Sequence, residues 1–524
     1  MRKISLLDCT LRDGGYVNDW NFGEETIKGF GRKIAQTGIE AYEVGFIKGD
    51  KFNPNRSVFP NIETIIEMIQ PKSSGMLYIG MLDMSAPIPL DRLIPYDGTS
   101  IDGIRVIFKK EKIDEAYTYC AKIKELGYWL SVNFVGTDQY SDEEFIHGIE
   151  MFNDLMPDAM SIVDSFGLIR RKQFLRLAYL ADNNMAEGIA LAYHAHNNLQ
   201  QAMGNAEALV EMNLKRDLII DACVFGMGRG AGNLNLELFA EYMNENYDTH
   251  YRIEPMLEIM DEYLNEIYHS TFWGYSLPLY LSASTGCHPN FAIYLAEKDS
   301  LSVKSFNELL KGIPDEDKPK FSKELAEKYY REYQENYIDD SKTLERLKTE
   351  IGNRDVLLIA PGKSLIKYAE KINQEVTKGN LLVMSVNFNP SKINVDYVFS
   401  SNSRRYTKIC NAEAVKCITT SNVSEVKDAT YKVNYSSYIS LEPSIIDNSG
   451  LMALRLLLAI GLKKVKIAGL DGYSAYQNGD YVDQSLEYTF EEGAVTRNAL
   501  ISKELVDINN RMTIEFITPT NYSL

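Results

Sequence analysis

Several large protein classes are excluded by what this sequence lacks. Its six cysteines (Cys9, Cys120, Cys223, Cys287, Cys410 and Cys417) are scattered over 524 residues with no CxxC pair. That spacing offers no disulfide framework and suits a reducing compartment, so the expectation is six inert core residues. Cations are also short, with 55 Lys and Arg against 73 Asp and Glu and a formal charge of -18. A chain of that balance does not follow a phosphate backbone, which removes nucleic acid as a partner, and an anionic substrate needs a local basic group. No apolar run approaches the roughly 18 residues of a membrane span. Met-Arg-Lys leads directly into a strand-like run, without the apolar stretch and cleavage site of a signal peptide. A cytoplasmic location is therefore expected.

What is present is a regular alternation. At 45% hydrophobic residues the chain can bury large cores, and its length favours two or three domains. Eight strand candidates stand between residues 3 and 250: ISLLDC, AYEVGF (41–46), MLYIGMLD (76–83), GIRVIF (103–108), WLSVNFVG (129–136), AMSIVDS (159–165), IALAYHAH (189–196) and LIIDACVF (218–225). Helical patterns such as EETIKGFGRKIAQTG and DEAYTYCAKIKELG separate them. Strand then helix, repeated eight times, predicts an α/β fold of the (β/α)8 type, a TIM barrel over residues 1–290. A doubly wound open sheet is the competing arrangement. Residues 291–351, Tyr-rich and helical, read as an extension and linker, and β/α signal returns from Asp355, predicting a second, Rossmann-like domain over 352–524.

If the barrel forms, its chemistry belongs at the carboxyl ends of the strands. Polar residues gather there: Arg12 and Asp13 after the first strand, Glu43 on the second, Asp164 and Ser165 on the sixth. His194 and His196 end the seventh. Histidines two apart on a strand point the same way, and with one carboxylate they make a two-His, one-carboxylate site for a divalent metal. Hydrogen-bonded core histidines are the alternative, and non-haem iron oxygenases use the same triad. GMGRGAGNLNLE (226–237) reads as a phosphate cradle or a tight turn, with Asn233 as a helix N-cap or a further oxygen ligand.

LxDCTLRDGG at the first strand, HAHNN at the seventh and GAGN after the eighth together resemble the DRE-TIM metallolyase superfamily, which includes 4-hydroxy-2-oxovalerate aldolases, HMG-CoA lyases and isopropylmalate synthases. The resemblance implies Asp13, His194 and His196 as ligands of Mn2+ or Mg2+, with Asn233 as an additional one. It implies Arg12 as the catalytic arginine and Glu43 as the acid that orients Arg12 or the substrate. The loop around Asn233 is similar to the aldolase branch, which implies cleavage of a 4-hydroxy-2-oxo acid through a pyruvate-type enolate. An acyl-CoA condensing synthase and a non-catalytic scaffold or glycan-binding protein are the alternatives.

One position departs from the aldolase pattern. The family's histidine base shortly after the Arg-Asp-Gly motif is replaced by Tyr16, and a tyrosine of pKa about 10 is a poor base at neutral pH. The proton then goes to His288 in STGCHPNF or to water, or the substrate differs. Tyr275 and Tyr280, in the segment 272–290, are candidates to reach the site or to pack a helical extension.

In the second domain LLIAPGKSL lacks the GxxxxGK spacing of a Walker motif, so no ATPase is inferred. With VNFNP, YVFSSN and the run from 449 to 473 it resembles bacterial sialyltransferases and their relatives, which implies a nucleotide-sugar or glycan at Gly362, Ser364, Asn387, Asn402, Ser449 and Asp471. No histidine follows residue 288 to act as a transferase base. The expected partners are thus a small 2-oxo acid and, at the second domain, a nucleotide-sugar or glycan. Homo-oligomerisation is left open.

Overall fold

The computed structural model describes residues 2–524 except 50, 299, 336, 352–353, 379–380, 410–414, 427–430, 475–479, 484–485 and 487–492; Cys410 lies outside the described residues. The chain divides into two compact units, Met1–Ile293 and Tyr294–Leu524.

The first unit is a closed parallel barrel. Its strands are β1 (Ile4–Asp8), β2 (Ala41–Ile47), β4 (Leu77–Asp83), β5 (Gly103–Phe108), β6 (Trp129–Phe134), β7 (Ala159–Asp164), β8 (Ala190–Ala195) and β9 (Leu218–Ala222), with a two-residue strand β3 (Val58–Phe59) on the outside of β2. β1 pairs in parallel with both β2 and β9, which closes the ring and leaves it no free edge. Helices or helical turns follow the strands, as parallel crossovers require. Because inner side chains and outer helices cover both faces, all seven residues of β2 are buried, and the strand reads as an apolar run broken only by Glu43.

β3 escapes a reading of the sequence because it is two residues long. It exists because β2 bulges between Glu43 and Gly45. Gly45 has φ +151, and a Cβ there would fall 2.0 Å from the Ser57 carbonyl oxygen, so only glycine lets the returning chain lie this close.

The second unit carries an open, all-parallel sheet in the order β14-β13-β12-β11-β10-β15-β16. Its strands are β10 (Asp355–Ile359), β11 (Leu381–Val386), β12 (Tyr397–Ser400), β13 (Lys416–Thr420), β14 (Tyr431–Val433), β15 (Lys464–Ala468) and β16 (Thr513–Phe516). From β10 the chain winds outward to β14, then returns to the other side of β10 with β15, so the direction of winding reverses between those two strands. The helix Ser449–Ala459 is mostly buried, with Leu451, Met452, Leu454, Leu456 and Leu457 in the core. No helix among the described residues is long and apolar enough to cross a membrane.

Candidate active site

The first strand ends at Asp8, and the chain then makes one helical turn, Thr10–Asp13, followed by a tighter turn, Gly14–Tyr16. The Thr10 hydroxyl accepts from the Val224 backbone N–H at 2.8 Å, which locks this turn to the loop after β9. Gly15 is required because the Trp20 indole lies against it: a Cβ would sit 2.0 Å from the ring. Trp20 itself, with Asp19, has a left-handed φ (+58 and +54), and its indole N–H donates to the Arg12 carbonyl at 2.7 Å. Strained backbone in non-glycine residues is thus spent on fixing the turn that presents Arg12 and Asp13.

Arg12 and Asp13 are both buried and joined, Nη1 to Oδ1, at 2.7 Å. Asp13 Oδ2 lies 3.6 Å from Nε2 of His194 and 3.6 Å from Nε2 of His196. The two imidazoles stand edge to face, centroids 5.4 Å apart, at the carboxyl end of β8. One ligand atom from each of the three residues lies within 4.8 Å of the others, so the three converge on one point where a divalent cation fits with a small inward shift of the side chains. Asn233 Oδ1 is buried with no hydrogen-bond partner among the described residues, an orphaned oxygen of the kind a cation satisfies. A carboxylate, two imidazoles and an amide oxygen are donors that fit a divalent metal.

Asn233 is not the N-cap of the following helix. That helix, Leu236–Asn246, is preceded by Asn235, and the Asn233 amide turns inward to donate to Asp13 Oδ2 at 2.6 Å and to the Met227 carbonyl at 2.9 Å. The glycine-rich loop is a tight turn closed on itself: Asn233 N–H bonds the Gly226 carbonyl, and a Cβ at Gly232 (φ +79) would lie 2.0 Å from that oxygen.

Beneath the triad runs a buried charge chain, of which sequence reading named Arg12 and Glu43 and missed Arg105 and Asp221. Arg12 Nε donates to Glu43 at 2.6 Å; Glu43 also meets Arg105 at 3.4 Å; Arg105 pairs with Asp221, whose Oδ2 lies 3.1 Å from Nδ1 of His194. Arg105 is 1% exposed, so its charge is met by Glu43 and Asp221 rather than by water, while Asp221 Oδ1 is buried without a hydrogen-bond partner among the described residues. The signal was available: one arginine in GIRVIF and one aspartate in LIIDACVF interrupt otherwise apolar buried strands, and buried charges demand partners. Burial raises the Asp13 carboxyl, but Arg12 and the two histidines outweigh it and hold it well below the usual carboxylate range. Burial, opposed by Asp13 and aided by the charges of His194, Arg229 and Arg12, pushes His196 down to about 3, which keeps its lone pair available at neutral pH.

Two of the cysteines meet under this site. Cys9 and Cys223 sulfurs are 3.4 Å apart, and the Cys9 sulfur lies 3.9 Å from Nδ1 of His194. Asp164, at the end of β7, belongs to the scaffold: it accepts from the N–H groups of Leu168 and Ile169, and burial raises it to about 7.

Around the triad stand cations. The Lys48 ammonium is 4.3 Å from the centre of the Phe46 ring and the Arg229 guanidinium 5.1 Å from that of Tyr16, while Tyr16, Trp20 and Phe46 meet edge to face at 4.8–6.2 Å. Desolvation and Asp13 push the Tyr16 hydroxyl above the ordinary tyrosine range, so it is a neutral donor rather than a base. The His288 ring lies 5.0 Å from that of Phe166, tilted by 60°, and burial, then Arg229 and Lys109, push it down to about 3. Tyr275 and Tyr280 are exposed; their segment touches the glycine-rich loop instead through Gly274 N–H to the Gly230 carbonyl and Trp273 to the Phe225 carbonyl.

In the second unit Gly362, Asn387, Asn402, Ser449 and Asp471 line one cavity. Ser364 is not in its lining; its backbone N–H donates to Asp471 at 2.8 Å from behind.

Residues 3–261 match the HMGL-like family. The chain is 22% identical over 275 residues to a 4-hydroxy-2-oxovalerate aldolase of Desulfitobacterium hafniense, covering 51% of this chain and 79% of that one. It is 23% identical over 312 residues to the enzyme of the same name from Moorella thermoacetica, covering 58% and 89%. A carboxyl transferase domain of Rhizobium etli pyruvate carboxylase, solved with pyruvate, shares the fold at 13% identity and a TM-score of 0.50, over 66% of this chain and 65% of that one. The chain therefore carries, over residues 3–261, an HMGL-like domain.

Proposed function

We propose that the N-terminal unit is a divalent-metal-dependent aldolase that cleaves a 4-hydroxy-2-oxo acid to a pyruvate-type enolate and an aldehyde. The observation that carries the reading is the fixed pair Arg12–Asp13, with one carboxylate oxygen of Asp13 on Arg12 and the other facing both histidines. The aldolase names of the relatives agree with it.

Asp13, His194 and His196 hold the cation, with Asn233 at hand; when bound it supplies Lewis acidity toward the ketone of a 2-oxo acid. Arg12, locked by Glu43 and Asp13, places a permanent positive charge where the enolate oxygen develops, and a preorganised charge in a buried site needs no reorganisation during reaction. Arg229 and Lys48 draw the substrate carboxylate to the rim. Tyr16 donates a hydrogen bond and takes no proton. The 4-hydroxyl proton leaves through water: Nδ1 of His288 already accepts the Asn290 N–H at 3.1 Å, and burial, then Arg229 and Lys109, suppress the basicity of that ring.

Purified protein with Mn2+ or Mg2+ and a panel of 4-hydroxy-2-oxo acids, followed through pyruvate release, tests the proposal. Activity must vanish on chelation and in Asp13→Asn, and Arg12→Ala must lower kcat by about 10²–10³. Thiol release from acetyl-CoA without pyruvate would instead identify a condensing synthase.

A further inference from the structure

Tyr16, the position at which the barrel departs from the aldolase pattern, is also where a cation is seated without a counter-charge. The Arg229 guanidinium lies 5.1 Å from the centre of the Tyr16 ring, and among the described residues its side chain has neither an ion pair nor a hydrogen bond. Lys48, just after β2, is in the same state: its ammonium stands 4.3 Å from the centre of the Phe46 ring and 5.1 Å from that of Trp20, with no acceptor among the described residues. Both side chains are half-buried. The Arg12 guanidinium is 5.8 Å from the same Phe46 ring, and the Arg229 charge reaches His196 of the triad as well as His288. The two cations therefore stand beside the site. Lys109, exposed after β5, adds its charge at His288.

The neighbouring carboxylates do not neutralise them. Asp13 is engaged by Arg12 and the two histidines, and Asp83, at the end of β4, accepts the Ser85 N–H at 2.8 Å. Burial raises the carboxyls of Asp138, in the turn after β6, and of Asp164, which disfavours their charge. The Arg229 fork and the Lys48 ammonium, held half out of water against ring faces, thus keep their donors for a group that arrives. The rings fix both cations beforehand through cation–π contact, so an incoming oxyanion has little left to order.

A 4-hydroxy-2-oxo acid brings one carboxylate, and that end finishes at Arg12 and the triad. Two further cations beside the site call for a second negative group, on the half of the substrate that leaves as the aldehyde. We propose that this half ends in an oxyanion, a phosphate ester or a carboxylate, received by Arg229 and Lys48 at the rings of Tyr16, Trp20 and Phe46. Arg229 offers its fork to two oxygens of such a group, and Lys48 offers a point charge. The inference rests on the aldolase reading of the barrel. It gives Tyr16 a role that its chemistry allows, a neutral ring that seats Arg229 where the aldolase pattern has a base.

Two readouts test it. Pyruvate release is compared for 4-hydroxy-2-oxo acids of matched length that end in a methyl, a carboxylate or a phosphate ester. For one oxyanion arm kcat/KM is expected to exceed that of the methyl arm by about 100-fold or more, the better arm identifying the group, and Arg229→Gln and Lys48→Gln should each lower that ratio about tenfold. Isothermal titration calorimetry of the full chain with glycerol 3-phosphate, glycerate and glycerol reads the same seat without turnover. The matching anion should bind and glycerol should not, and Arg229→Gln, shown to be folded by circular dichroism, should weaken the anion about tenfold. Pyruvate from all three arms at equal kcat/KM, or a ratio and an anion affinity unchanged in both folded variants, overturns the oxyanion seat and leaves the aldolase reading standing. Anion binding that depends on Arg229, with no pyruvate from any arm, upholds the seat and removes the aldolase reading. No pyruvate and no Arg229-dependent binding overturns both.

Discussion

At the scale of single residues, the candidate active site is a matter of which charges are allowed to remain buried. Arg105 and Asp221 touch no substrate position, yet Asp221 contacts the ring nitrogen of His194 opposite the one that faces Asp13. A partner of that sort sets the tautomer and orientation of a metal-binding imidazole. Asp221→Asn is therefore expected to weaken divalent-metal affinity by about 10–100-fold, measured by titration with Mn2+. Arg105→Met removes the arginine that Asp221 and Glu43 share, leaving Asp221 with His194 and Glu43 with Arg12, and should cost about 3 kcal/mol of stability in denaturant unfolding. At the rim, Arg229→Gln removes a positive charge that opposes protonation of His288. The His288 pKa should then rise from about 3 toward the ordinary imidazole value, seen as a shifted titration in histidine-labelled NMR, while KM for 2-oxo acids rises more than kcat falls.

At the scale of elements, the helix Ser341–Ile351 is tied to the sheet of the second unit through one carboxylate. Glu350 accepts from Tyr397 and Tyr431 at 2.7 Å, from Lys416 at 2.9 Å and from Arg346 at 2.9 Å. The tyrosine hydroxyls, then Lys416 and Arg346, lower its pKa to about 2. Because the folded value lies below the unfolded one, this stabilisation is complete above pH about 4.5 and is lost as pH falls toward about 2. Glu350→Gln should cost about 2 kcal/mol at neutral pH and flatten the acid limb of the stability profile between those limits. Strands β13 and β14 show why part of this unit was hard to read: KCITT and YKV are short, and two of their residues are lysines. The barrel strands, buried on both faces, are largely continuous apolar runs whose few charges stand mostly at their carboxyl ends, and these were legible. His194, His196 and Asp13 were legible as residue types, but the inward turn of Asn233 was not, because an asparagine before a helix serves a cap or a core network equally well until the neighbouring loop is placed.

At the scale of the whole molecule, two units with separate hydrophobic cores predict two unfolding transitions rather than one. Calorimetry should resolve them. A divalent cation is expected to raise only the transition of the unit that holds Asp13 and its histidines, by mass action on the folded state. Glu350→Gln is expected to lower only the other. A single transition, or a cation effect on both, would show that the units unfold as one.

The strained turn that carries Arg12 also gives the protein an optical reporter. The sequence holds three tryptophans, and Trp20 alone hydrogen-bonds the backbone of Arg12 while lying 5.1 Å from the Lys48 ammonium. Indole emission is sensitive to nearby charge, so in a Trp129→Phe, Trp273→Phe background the fluorescence of Trp20 becomes a continuous record of anions arriving at the mouth of the barrel.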